Sequence, residues 1–160
     1  MLDTNLFNSV LDGKISVASF AGRRLLATGI QSSELQATSC PQRRAELLAI
    51  FEEVNPAVLP ASSFAFGVEG AGFGQALWND GTGNFQKMLD RPRELDREQG
   101  KKIRDPLNQP RDILIAETAI KNGATLVSGD ENLRLVVLEF GGRAIDRPSS
   151  ERERAGIRDK

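Results

Sequence analysis

The sequence predicts an α/β fold built on a parallel sheet, and three observations predict it. Apolar runs of strand length occur at residues 25–30 and 124–128, each bounded by polar or turn-forming residues. An amphipathic stretch of helix length lies between them at 42–54. From Asp112 to Ile145 the order is helix, strand, helix, strand, at the spacing of parallel strands joined by crossover helices. With 160 residues and 39% apolar content, the chain can bury roughly two thirds of its unfolded surface as one domain.

Taken in order, Leu25 to Ile30 reads as a short strand set off by the polar pair Arg23-Arg24. Ser32 and Ser33 offer N-caps for a helix through Ala37. Pro41 suits a first helical turn, and Gln42 to Val54 places Ala45, Leu48 and Phe51 on one face, with Leu47 and Val54 beside them. Pro56 to Leu59 is a strand ending at Pro60. Residues 62–78 read as helical, capped by Ser62-Ser63, although Gly67, Gly70, Gly72 and Gly74 each cost about 1 kcal/mol in a helix interior. So many glycines call for close packing on a neighbour or a break in the helix. Residues 79–110, rich in Gly, Pro and charge, read as an insertion or long loop with one short helix near Met88 or Arg97. Asp112 to Asn122 is a helix with Gly123 at its end. Ala124 to Ser128 is a buried strand, Glu131 to Phe140 a helix stopped by Gly141-Gly142, and Arg143 to Ile145 a last strand. The domain spans 1–146, and 147–160 is a charged tail with almost nothing to bury.

Composition removes whole classes of chemistry. There is no His, no Tyr and a single Cys, Cys40. Catalytic triads, Cys–His dyads, His-dependent ribonucleases and His-ligated zinc are excluded. So are a tyrosine nucleophile, an internal disulfide and a cysteine zinc cluster. A lone Cys fits a reducing compartment, the start shows no leader, and no run approaches the ~18 apolar residues of a membrane span. The expectation is a soluble, cytoplasmic protein. Net charge is −1, so any surface for a polyanion is local. Arg23-Arg24 and the block 87–104 are candidates for phosphate contact, with a solvated face as the simpler account. Phe73 and Trp78 can stack on bases, with core or subunit packing as the simpler account, and Phe64 and Phe66 fall near them. Cys40 reads as an incidental small hydrophobe.

In an open parallel sheet, ligands bind outside the carboxyl ends of the strands. Asp3 follows the apolar pair Met1-Leu2. Glu34 lies in the helix after the strand at 25–30, Asp112 begins the helix leading into the strand at 124–128, and Asp130 follows that strand. One sheet can bring all four to one end. Crowded carboxylates repel, and a hard divalent cation relieves the repulsion. Such a cation activates water and neutralises a phosphodiester oxygen, which is hydrolysis without histidine. Each acid alone is as readily a cap or a solvated turn. Glu69, Glu117 and Glu131 are spare acids.

Four local segments resemble the PIN-domain family, the fold of VapC-type toxin ribonucleases. They are Met1-Leu2-Asp3-Thr4-Asn5, Ile30-Gln31-Ser32-Ser33-Glu34-Leu35, Arg111-Asp112-Ile113-Leu114-Ile115-Ala116, and Leu126-Val127-Ser128-Gly129-Asp130. The resemblance implies a three-layer α/β/α sandwich with a mostly parallel four- or five-stranded sheet. It implies a Mg²⁺- or Mn²⁺-dependent endoribonuclease, with Asp3, Glu34, Asp112 and Asp130 as metal-binding catalytic acids. Asn5 and Ser128 would hold carboxylates and water in place. It further implies RNA as substrate, a cognate antitoxin as partner and a homodimer. A housekeeping RNA-processing nuclease or a partner-binding domain on the same fold is the alternative. A phosphatase-like or receiver-like domain also uses acids at strand ends. Leu133 departs from the family, many of whose members carry an aromatic residue there.

Overall fold

The computed structural model describes residues 1–78, 81–100 and 109–148. Its sheet is assembled around the first three residues. Strand β1 (Leu26–Thr28) pairs in parallel with β2 (Ala57–Leu59), and β3 (Thr125–Val127) pairs in parallel with β4 (Arg143–Ile145). Residues 1–3 join the two pairs. The Leu2 amide donates to the Leu26 carbonyl at 3.0 Å, the Asp3 amide to Val127 at 3.1 Å, and the Val127 amide to Met1 at 2.9 Å. The spatial order is therefore β2, β1, residues 1–3, β3, β4, with Leu2 bridged in parallel to Val127.

Successive strand residues face opposite sides of the sheet, and each side carries its own core. On one side, Met1 and Leu126 join Ile113, Leu114, Ile115, Val136 and Val137. Those residues come from α5 (Gln109–Lys121) and α6 (Glu131–Glu139), and α4 (Asn84–Glu98) adds Met88 and Leu95. On the other side, Leu2 and Val127 join Leu6, Phe7, Leu35 and Leu47, from α1 (Thr4–Leu11), α2 (Gly29–Gln36) and α3 (Pro41–Val54). This is the three-layer α/β/α sandwich, with a parallel sheet between helical layers.

Several elements differ from expectation. Helix α2 starts at Gly29 rather than at Ser32-Ser33, because Thr28 caps it. The Thr28 hydroxyl accepts from the Ile30 amide at 3.2 Å, and the Gln31 side chain accepts from the Thr28 amide at 2.8 Å. Residues 62–78 form turns and bends instead of a helix. Ser62 and Ser63 cap nothing. The Ser62 amide donates to the Thr118 hydroxyl at 2.9 Å and the Ser63 hydroxyl to Glu117 at 3.0 Å, which fastens this segment to α5. Gly70 explains part of the glycine content: its φ is +87°, and a Cβ there would lie 2.5 Å from the Gly29 carbonyl carbon and the Ile30 nitrogen.

The segment read as a charged insertion or long loop carries the 15-residue helix α4. Arg91 clamps it to α6, donating to both oxygens of Glu139 at 2.7 and 3.0 Å while also reaching Glu94 and Glu98. Arg93 donates to Gln109 at 2.7 Å. These two cations of the basic block are engaged within the protein, while Lys101, Lys102 and Arg104 lie outside the described residues. Nearly all of the charged tail, 149–160, lies outside them too. No helix among the described residues is long and apolar enough to cross a membrane.

Candidate active site

The carboxyl end of the central strand places Asp3. Its side chain is 1% exposed at the N-cap position of α1. The Ser128 hydroxyl donates to Asp3 Oδ2 at 2.7 Å, and the same hydroxyl accepts from the Asp130 amide at 3.0 Å. Ser128 thus ties the end of β3 to the carboxylate on the neighbouring strand. Asp3 Oδ1 is buried, with no hydrogen-bond partner among the described residues. Burial pushes the Asp3 carboxyl above its ordinary pKa, and the charge of Asp130 pushes the same way. The Ser128 hydroxyl and the first amides of α1 oppose that shift without cancelling it.

Glu34 comes from α2. The helix start is fixed by fully buried Gln31, whose amide donates to the Leu2 carbonyl at 2.8 Å. Glu34 follows three residues later on the same face. Its carboxylate accepts from the Thr4 hydroxyl and lies 3.9 Å from Arg111. Burial pushes its pKa up and the charge of Asp3 adds to this, against Thr4 and Arg111.

Asp130 is the N-cap of α6, accepting from the Leu133 amide at 3.0 Å. Arg134 steadies the turn by donating to the Ser128 carbonyl at 2.7 Å. Asp112 sits in the first turn of α5 and lines a small crease with Pro92, Gln109, Ile113 and Leu133.

The structure therefore couples Asp3 electrostatically to both Asp130 and Glu34. It sets Asp112 beside the first turn of α6, where Leu133 lies. Among the described residues, no three Asp, Glu, His or Cys side chains converge as a ready metal cage. The donors nevertheless suit a hard cation. All are carboxylate oxygens, one buried oxygen has no partner among the described residues, and Mg²⁺ is commonly held by one or two carboxylates with water completing the shell. The Asn5 side chain is exposed and hydrogen-bonds neither carboxylate; the Thr4 hydroxyl one residue earlier does. Sequence reasoning gave Thr4 and Arg111 no role. Their one signal was position, each adjoining a candidate acid within a quoted segment.

Phe73 and Trp78, expected in a core or subunit contact, are each 76% exposed, and Phe66 is 86% exposed. They pack around half-buried Phe64 with ring centroids 4.8–5.7 Å from it. Cys40 is exposed and free.

No protein-family model matches the chain, and no curated protein matches it. Among solved structures, the chain is similar to a member of the VapBC family of toxin–antitoxin systems, VapBC-5 from Mycobacterium tuberculosis. The identity is 20%, the TM-score 0.46, and the match covers 91% of this chain and 94% of that one. The chemistry of the site rests on its own geometry.

Proposed function

We propose that the chain is a metal-dependent endoribonuclease that hydrolyses RNA phosphodiester bonds, and that it is the toxin of a type II toxin–antitoxin pair. The observation carrying this reading is the buried Asp3 carboxylate. It has one oxygen held by Ser128 and the other without a hydrogen-bond partner among the described residues; the charge of Asp130 helps to raise its pKa, and its own charge helps to raise that of Glu34. A protein keeps a repelling, poorly solvated group of this kind where a cation or a reaction requires it. The resemblance of four segments to PIN domains points the same way.

Asp3 and Asp130, with Glu34 alongside, would hold Mg²⁺ or Mn²⁺, and Asp112 would complete the set from the start of α5. The ion would supply an activated water and neutralise a phosphodiester oxygen. The chain's own groups do the positioning. Ser128 orients Asp3, Thr4 and Arg111 orient Glu34, and the Leu133 amide orients Asp130. The exposed Phe66, Phe73 and Trp78 supply a surface of the kind that protein partners cover, which fits an antitoxin or a second copy of the chain.

The test is cleavage of a mixed RNA pool with Mg²⁺ or Mn²⁺, against EDTA and against Asp3→Asn and Asp112→Asn. Cleavage should require the ion and fall by at least 100-fold in either variant. Undiminished cleavage in EDTA would remove the mechanism. Expression in cells, with and without the product of any small gene found adjacent to its own, separates a toxin from a housekeeping nuclease: relievable growth arrest marks the toxin.

A further inference from the structure

A second feature lies away from the acids. A groove of about 1540 Å³ runs along the sheet, and none of Asp3, Glu34, Asp112 or Asp130 lines it. Arg23, Arg24 and Arg143 do, with the hydroxyl residues Ser19 and Thr125, and Asp146 is the one acid among the described residues of its walls. Arg23 and Arg24 are exposed and meet no carboxylate among the described residues, whereas Arg43, Arg91, Arg111 and Arg134 are all ion-paired. Arg143 donates to the Gly123 carbonyl within the groove wall, and it too meets no carboxylate among the described residues. In a chain of net charge −1, this is a concentrated local excess of positive charge in a concave surface.

We propose that this groove is an exosite for the phosphate backbone of single-stranded RNA, holding the substrate at a distance from the acids. The inference rests on the ribonuclease reading and adds a binding surface to it. Unpaired guanidinium groups with nearby hydroxyl donors suit successive phosphates. A polyanion is the ligand that gains most from three guanidinium groups in one groove that meet no carboxylate among the described residues. An edge crowded with carboxylates repels RNA unless it is neutralised, so affinity supplied elsewhere is physically useful.

The experiment uses the full chain and a fluorescein-labelled 24-mer of oligouridylate in EDTA, read by anisotropy across a salt series. The double variant R23A/R24A should bind about tenfold more weakly at 0.1 M salt. Its log–log salt slope should be shallower by about 1.4, at roughly 0.7 per lost phosphate contact. R23K/R24K should recover most of both, and R143A should add a further loss, with circular dichroism confirming the fold of each. Unchanged affinity and slope in R23A/R24A would overturn the exosite, whether or not mixed RNA is cleaved. Binding that depends on the arginines without ion-dependent cleavage would uphold the groove and defeat the ribonuclease reading. Failure to bind the probe, together with arginine-dependent binding of a poly-glutamate 20-mer, would assign the groove to an acidic polypeptide and overturn the proposal.

Discussion

Ser128 donates its hydroxyl to the carboxylate of Asp3 at 2.7 Å, across 125 positions of sequence. Both side chains are buried, so the bond is made in surroundings where a lost partner is costly. It joins residues 1–3 to the adjacent strand β3.

Ser128→Ala leaves Asp3 with neither oxygen hydrogen-bonded by a side chain. The expected loss is about 1–3 kcal/mol of stability, read by urea unfolding. The hydroxyl favours the charged carboxylate, so its removal raises the Asp3 pKa further. The acid limb of the cleavage-rate profile should therefore move to higher pH. An unmoved limb would show that Asp3 does not titrate in the rate.

Asp3→Asn should stabilise the protein in EDTA at neutral pH. The Asp3 pKa is raised in the folded state above 3.8, so the folded protein holds its proton more tightly than the unfolded chain does. Stability then falls as pH climbs from the unfolded value through the raised folded one. Asparagine removes that cost, and its advantage should vanish below the unfolded value. Added Mg²⁺ should raise the melting temperature of the unaltered chain and leave Asp3→Asn unmoved. Equal responses would place the ion elsewhere.

Thr4→Val and Arg111→Ala should each lower cleavage about tenfold without unfolding the chain, because each removes one restraint on Glu34. The double variant should lose less than the product of the two, since both act on one carboxylate. Full additivity in kinetic measurements would argue against that shared target.

Gly70→Ala should cost more than 2 kcal/mol, because it combines a positive φ with a 2.5 Å approach to the backbone at Gly29 and Ile30. Gly74→Ala has a positive φ of 76° and open space, so about 1 kcal/mol is expected. Thermal melts of the two variants give the comparison directly.

Local pattern carried much of the fold. The strand at 26–28, the helix starting at Pro41 and the succession from Asp112 to Ile145 were legible because apolar period and turn residues agree there. Helix α1 went unread and 62–78 was misread. Glycine content alone does not show that Gly70 must clear the backbone of α2, nor that Ser62 and Ser63 bond to Thr118 and Glu117. Helix α4 was expected only as a short piece near Met88 or Arg97; its length was hidden by charge, which Arg91 spends on Glu94, Glu98 and Glu139.

By itself, the sequence determined the chemical inventory. Without histidine or tyrosine and with one cysteine, only oxygen and cationic side chains remain for a reaction. Tertiary structure alone decided which of them meet. Residues 1–3 enter between β1 and β3, which buries Asp3 against Ser128, brings the field of Asp130 onto it and carries its own field onto Glu34. Chain order is silent on this because the interactions are non-local: strand pairing sets the distances and burial sets how strongly the charges are felt.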